Sequence, residues 1–83
     1  MLTLDWLQVR QAEIKPSANG QSWLLYQGGQ FLYAIVALPA DGQYTNKIME
    51  SNNGNQIQKG KIFSTSLEAL NGGLEELREY LGW

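Results

Sequence analysis

Carboxylates are the main side chains in this 83-residue sequence that could perform acid–base chemistry or hold a hard metal ion. The sequence has no histidine and no cysteine, which are the commonest general base and the usual soft metal ligand. Glu75 and Glu79 lie four residues apart and would share one face of a helix. Two such carboxylates can in principle exchange a proton or bind a cation. Because Arg78 lies three residues after Glu75, we favour an ordinary solvated helix face.

The sequence offers no activated nucleophile. Serines and threonines are present, but there is no histidine to activate them and no lysine–serine signature. The glycine pairs match neither a phosphate-binding loop nor a dinucleotide fingerprint. We therefore predict a non-enzymatic protein with no catalytic residues, no metal site and no cofactor.

Composition sets further limits. Only 17% of the residues are charged, and the net charge is −2, which gives no overall attraction to nucleic acid or to an anionic membrane. The start "MLTLDWLQVRQ" has neither a basic segment nor an apolar run typical of a signal peptide. The longest apolar run, "FLYAIVALPA", is too short to cross a bilayer. We predict a soluble cytoplasmic protein without membrane partners.

The length fits one small domain, residues 1–83. A core of this size is marginal, and small domains usually need disulfides, a metal or a partner chain. Disulfides and thiolate metal sites are excluded, and the carboxylates that remain for a hard cation are dispersed along the sequence. Of these three aids, association with a partner is therefore the one left open.

Four turn signals divide the chain: Asn19-Gly20, Gly28-Gly29, Asp41-Gly42 and Asn53-Gly54. Such pairs supply the positive φ angles of tight hairpin turns. Their near-regular spacing predicts an antiparallel meander with strands at 7–15, 22–27, 30–38, 43–51 and 56–63. The first strand has an alternative, because Asp5 and Gln8 could form a capping box that starts a helix at Trp6.

The C-terminal stretch "STSLEALNGGLEELREYLGW" predicts a helix. Thr65 and Glu68 form a capping box, and leucines at three- and four-residue steps form an apolar stripe. Gly72 and Gly73 interrupt this stripe, at about 1 kcal/mol each relative to alanine. We favour one continuous helix that approaches the sheet closely at the glycines over two helices separated by a break. The predicted class is α+β: a four- to five-stranded antiparallel meander with this amphipathic helix packed on one face.

The central hairpin is apolar on both faces. If Gly28-Gly29 form a two-residue turn, one face carries Leu24, Tyr26, Phe31, Tyr33 and Ile35, and the other Trp23, Leu25, Leu32, Ala34, Val36 and Leu38. One helix covers one face only, and a sheet of this kind ordinarily shows water a polar side. The second face needs a cover, which could be the N-terminal segment with Leu2, Leu4 and Trp6, a second copy, a partner protein or a ligand.

The leading hypothesis is a protein-interaction or assembly module, either a homodimer or a subunit of a larger complex. The candidate interface residues are Trp6, Trp23, Tyr26, Phe31, Tyr33, Gly73 and Trp83; aromatic residues are favoured anchors, although each could instead belong to the core. The alternative is a single-stranded nucleic-acid-binding sheet module. It would use Lys47, Lys59 and Lys61, which lie in a mildly basic hairpin near aromatic residues.

A meander that ends in a helix, with "KGKIFSTSLEAL" at the junction, resembles the layout of the small dimeric single-stranded-DNA-binding proteins of the positive cofactor 4 type. It also resembles the sheet-plus-helix DNA-binding modules at the N-termini of phage-type integrases. Both resemblances imply nucleic-acid binding by the sheet. They concern layout, and a shared layout does not by itself fix function.

Overall fold

The structure, a computed structural model, describes residues 5–18, 20–52 and 54–83. Its five strands form one antiparallel sheet in chain order, and two helices complete the fold. The elements are α1 (Asp5–Val9), β1 (Ala12–Pro16), β2 (Ser22–Gln27), β3 (Gln30–Ala40), β4 (Gln43–Glu50), β5 (Gln56–Ile57) and α2 (Ser66–Leu81). Helix α2 packs on β3 and β4. The predicted α+β meander with a C-terminal helix is confirmed.

The first element corrects the predicted strand at 7–15. Residues Asp5–Val9 are helical, and the strand begins only at Ala12. The helix places Leu7 in the core at 0% exposure and Trp6 against its edge. A strand would have pointed these consecutive side chains to opposite faces of the sheet, whereas the helical turn places both on the side of the core.

The hairpin between β2 and β3 contains an irregularity that the predicted register lacked. Tyr26 pairs with Phe31 as expected, but Leu25 pairs with Tyr33, so Leu32 is an extra residue on β3. An extra residue reverses which face the following side chains occupy. Trp23 and Leu25 therefore share a face with Tyr33, Ile35 and Ala37, and the predicted division of β3 between the two faces is wrong beyond Phe31.

The last strand is shorter than the predicted 56–63. Only Gln56–Ile57 pair with β4, and the chain then leaves the sheet. Gly60 lies in this exposed connector with φ +73°, a conformation that a continuing strand does not use. Phe63 returns to the sheet and exchanges two backbone hydrogen bonds with Tyr44, at 2.9 and 2.7 Å.

Helix α2 runs unbroken through the two glycines, as we favoured. The Glu68 backbone N–H donates to Thr65 Oγ1 at 3.1 Å, which is the predicted N-cap. At the other end Gly82 adopts φ +73°, and the Trp83 N–H donates to the Arg78 carbonyl at 3.0 Å. These bonds satisfy backbone groups that a helix leaves unpaired at its ends.

The glycines mark where the helix approaches the sheet most closely. A Cβ on Gly73 would fall 2.5 Å from Ile35 Cγ2, and one on Gly72 would meet the ring of Phe63. Beside Gly73, the buried Asn46 side chain donates from Nδ2 to the Ala69 carbonyl at 2.8 Å. The absence of side chains at these two positions lets α2 lie directly on β3 and β4.

Candidate interaction surface

Both helices lie on one side of the sheet, which we call the inner face. Their buried side chains join one cluster with inward residues of the strands; its members include Leu7, Ile14, Trp23, Leu25, Ile35, Ile48, Leu70, Leu74 and Leu77. Successive residues of a strand point to opposite sides, so the intervening residues point away from this cluster. Among the described elements, none packs on that second side.

The second side, here called the outer face, is apolar along its middle. The two central strands contribute Leu24, Tyr26, Ala34, Val36 and Leu38, and β4 adds Met49. All six are partly exposed, not buried. The predicted second apolar face therefore exists, although the register shift changes part of its membership.

Charged side chains of the outer face lie on its flanks. Glu13 and Lys15 project from β1, with Lys15 Nζ 3.6 Å from the Glu13 carboxylate and 4.8 Å from the Tyr26 ring centroid. Lys47 projects from β4, across from Val36. β5 pairs with β4 only at Ile48 and Met49. Lys47 precedes these two residues and has no partner on β5, so it also lies near the border of the sheet. An apolar centre with a charged rim is the usual anatomy of a protein interface.

One aromatic pair stands at the hairpin end of the outer face. The rings of Tyr26 and Phe31 lie 5.7 Å apart at 46°, and Phe31 is 37% exposed. Of the seven candidate interface residues, these two are the aromatic residues that the structure places on the outer face. Sequence reasoning found them because they flank the Gly28-Gly29 turn.

The other candidate interface residues lie on or within the inner side. Trp23 is a core residue at 7% exposure, and Tyr33 packs against the same cluster. Trp6 and Trp83 meet edge to face at 6.3 Å, with Arg78 stacked 5.3 Å from Trp6 and Arg10 5.4 Å from Trp83. These ring and cation–π contacts hold Trp83 and the end of α2 against α1 and the residue that follows it. Gly73 contacts the sheet. The five candidates on the inner side therefore all have packing roles within one chain: Trp6, Trp23, Tyr33, Gly73 and Trp83. Leu2 and Leu4 lie outside the described residues.

The structure does not bring the three candidate lysines into one surface. Lys47 points to the outer face, whereas Lys61 Nζ lies 3.9 Å from the carboxylate of Glu76 on the inner side. Lys59 is exposed in the connector after β5. A continuous cationic track for a phosphate backbone is the usual basis of non-specific nucleic-acid affinity, and these positions do not form one.

Glu76 is a polar core residue that the sequence did not reveal. It is 3% exposed, and neither carboxylate oxygen has a hydrogen-bond partner among the described residues. Glu75 and Glu79, the pair considered for acid–base chemistry, are both exposed. The signal for Glu76 was its position in the helix. It lies four residues after Gly72 and one residue before Leu77, and this position is beside the leucine stripe.

Burial also shifts the pKa of one ionisable side chain, Tyr33. Desolvation raises the pKa of the Tyr33 phenol above its usual 10.0, and the nearby Glu50 carboxylate and Tyr80 add to the rise. Across the described residues, no three acidic side chains lie close enough together to hold a metal ion.

Comparison with protein-family models, curated proteins and solved structures finds no match for this chain. No helix in the described ranges is long and apolar enough to cross a membrane. The cytoplasmic location and the resemblance in layout to single-stranded-DNA-binding proteins remain predictions.

Proposed function

We propose that this protein is a small non-enzymatic interaction module that acts as a homodimer or as a subunit of a larger complex, with the outer face as its contact surface. The observation that carries the proposal is the apolar middle of that face, formed by Leu24, Tyr26, Ala34, Val36 and Leu38. Contiguous apolar surface of this kind is uncommon on monomers and marks binding sites. The absence of histidine and cysteine supports the non-enzymatic part of the proposal.

The pattern of charge supports a protein partner over nucleic acid. The apolar middle gains free energy by leaving water, and the flanking charges Glu13, Lys15 and Lys47 stay at the rim where water reaches them. Single-stranded nucleic acid would need a series of cations beside aromatic residues. On the outer face Lys15 is paired with Glu13, which leaves Lys47 as the only other described cation there.

The test is affinity capture with tagged protein and two matched variants. Ala34→Glu places a carboxylate at the centre of the outer face, opposite Met49. Leu67→Glu makes the same change of charge on α2, where Leu67 is already 57% exposed. We expect wild type and Leu67→Glu to retain the same protein partners, including an untagged copy of the chain, and Ala34→Glu to lose them. Retention of all partners by folded Ala34→Glu refutes the proposal.

Nucleic acid is tested in parallel by electrophoretic shift with a single-stranded oligonucleotide at low and moderate salt. The interaction-module proposal predicts no shift by wild type at low salt. A shift that disappears in Lys47→Ala, and strengthens in Ala34→Lys, would replace it with the nucleic-acid alternative.

A further inference from the structure

Glu76 is buried without the hydrogen bonds that a carboxylate normally makes. Within the described part of the chain, neither of its oxygens has a hydrogen-bond partner, and its ion-pair partner is Lys61, whose Nζ lies 3.9 Å away. The Lys61 side chain is itself 62% exposed, so it compensates the buried charge only weakly. A carboxylate withdrawn from water on these terms is in an unfavourable environment. A movement that lets water reach it therefore regains hydration free energy.

The connector between β5 and α2 lies along the helix beside this carboxylate. The ring of Phe63 occupies the space next to Gly72, where a Cβ would meet it, and Lys61 lies beside Glu76. Gly72 and Glu76 are one helical turn apart and therefore share a face of α2. Ile62, between the two connector residues, is exposed. The connector thus runs antiparallel to α2, with Phe63 at one turn of the helix and Lys61 at the next.

Residues 58–62, here called the strap, are held mainly at their ends. On one side of them Ile57 pairs with Ile48, and on the other Phe63 pairs with Tyr44. Three residues of β4 separate these two points, whereas the strap has five residues, so it is longer than a regular antiparallel ladder requires. No strap residue makes a backbone hydrogen bond to another described residue, and none belongs to the hydrophobic cluster of the core. The strap can therefore move away from α2 while both of its ends and the core keep their contacts.

From these contacts we infer that the strap opens and closes over Glu76, with the Lys61–Glu76 ion pair as its latch. In the closed form the pair is made and the carboxylate is shielded from water, and in the open form water reaches both groups. An exposed ion pair stabilises the closed form only slightly, while hydration of the carboxylate favours the open form. The two forms therefore lie close in free energy, and the charges at positions 61 and 76 set their populations. The device lies on the inner side of the molecule and is independent of the outer face that carries the proposed function.

The test uses limited digestion of the folded, full chain with trypsin, which cleaves after lysine. Lys59 lies in the strap, and Lys47 lies in β4, where it pairs with Val36. When opening is fast relative to cleavage, the rate at each site reports the population of the form in which that site has left the fold. Mass spectrometry identifies and quantifies the products. Wild type should be cleaved after Lys59 at least about tenfold faster than after Lys47, because the strap opens without global unfolding.

Substitutions at the latch should change the rate after Lys59 in opposite directions. Lys61→Met removes the cation and should raise this rate about fivefold, the factor expected for the loss of an exposed ion pair. Lys61→Arg should not raise it, since a guanidinium also pairs with a carboxylate. Glu76→Met replaces the buried carboxylate by an unbranched apolar side chain and should lower the rate at least about fivefold. The matched control Glu75→Met removes a carboxylate from the exposed neighbouring position and should leave the rate unchanged.

The double variant separates the latch from the general effects of each substitution. In the Glu76→Met background, Lys61→Met should have no effect on the rate after Lys59. An equal acceleration in the two backgrounds would overturn the inference, and so would a wild-type rate after Lys59 no greater than that after Lys47. If Glu76→Met does not fold, Lys61→Met and Lys61→Arg decide the question, since both change an exposed side chain. Equal rates in these two variants would overturn the inference as well.

Discussion

Replacing Gly73 with alanine tests the close contact between α2 and the sheet. In a solvent-facing helix the change would stabilise the protein by about 1 kcal/mol through helix propensity. Here the new Cβ would fall 2.5 Å from Cγ2 of Ile35 and 3.4 Å from Nδ2 of Asn46. Ile35 is fully buried and branched at Cβ, so its methyl group cannot rotate away without moving the core.

The expected free-energy change follows from these two opposing effects. Overpacking a core typically costs about 1–3 kcal/mol, which exceeds the propensity gain over most of that range. Displacement of Asn46 would also strain its 2.8 Å hydrogen bond to Ala69, and leaving such a buried group unpaired costs about 1–3 kcal/mol more. We expect a net destabilisation of about 1–2 kcal/mol. For a domain of this size that lowers the melting temperature by about 4–8 °C per kcal/mol.

The neighbouring positions supply matched controls. At Gly72 the new Cβ would meet the outer end of the Phe63 ring, which is only partly buried, so Gly72→Ala should cost less than Gly73→Ala. Asn71 is exposed, and Asn71→Ala should stabilise by about 0.5 kcal/mol from propensity alone. Urea unfolding followed by circular dichroism ranks the three variants, since an equal m-value makes the midpoints comparable.

A second substitution checks the cause. Ile35→Leu moves the branch from Cβ to Cγ and removes the methyl group that meets residue 73. Gly73→Ala should therefore cost about 1 kcal/mol less in the Ile35→Leu background, which is a coupling of the size expected for residues in contact. If Gly73→Ala proves as stable as Gly72→Ala, or if the two substitutions are additive, the close approach of helix and sheet is wrong.

Three other predictions concern the polar groups of the core. Asn46→Ala removes the amide that donates to Ala69 and should lower the free energy of unfolding by about 1–3 kcal/mol, measured by urea unfolding. Lys61→Met removes the cation 3.9 Å from the buried Glu76 and should cost about 1 kcal/mol by the same assay, well below the value for a fully buried pair because the lysine is exposed. Because the pKa of Tyr33 is raised in the folded state, its contribution to stability is present below pH 10 and is lost as pH rises through the folded-state pKa. Tyr33→Phe should make the urea midpoint decline less steeply above pH 10.

For each of these three predictions, a control measurement defines the result that would contradict it. Asn52 is exposed near the β4–β5 turn, and an Asn46→Ala variant no less stable than Asn52→Ala would show that the buried amide contributes nothing. Lys59 lies in the same connector, and Lys59→Met should leave the free energy of unfolding nearly unchanged. Equal losses of stability in Lys59→Met and Lys61→Met would exclude a specific role for Glu76. Parallel alkaline profiles of wild type and Tyr33→Phe would exclude the phenol as the titrating group.

The elements that the sequence predicted well are those whose signals are local. The capping box at Thr65 and Glu68, the glycine turns and the alternation of apolar residues all act over a few neighbouring residues. They were sufficient for the meander, the N-terminus of α2 and the presence of two apolar sheet faces. The extra residue at Leu32 left no comparable local signal, and the predicted register failed beyond it.

The candidate surface was predictable only in part for the same reason. Tyr26 and Phe31 were found because they flank a recognisable turn, whereas Trp23 and Tyr33, which resemble them in type, are core residues. Which aromatic residue faces the helices depends on the pairing of β2 with β3. That pairing is decided by packing across the sheet, not by the residues themselves.

By itself, the sequence determined that the chain would form an antiparallel sheet with a C-terminal helix and that it contains neither histidine nor cysteine, because composition, turn chemistry and periodicity are properties of the residues themselves and of their neighbours in the chain. The tertiary structure decided which face the helices cover, where Glu76 and Asn46 are buried, and that the glycines of α2 serve close packing. Each of these depends on contacts between residues distant in the chain. Such contacts exist only after the sheet has formed and the helix has settled on it.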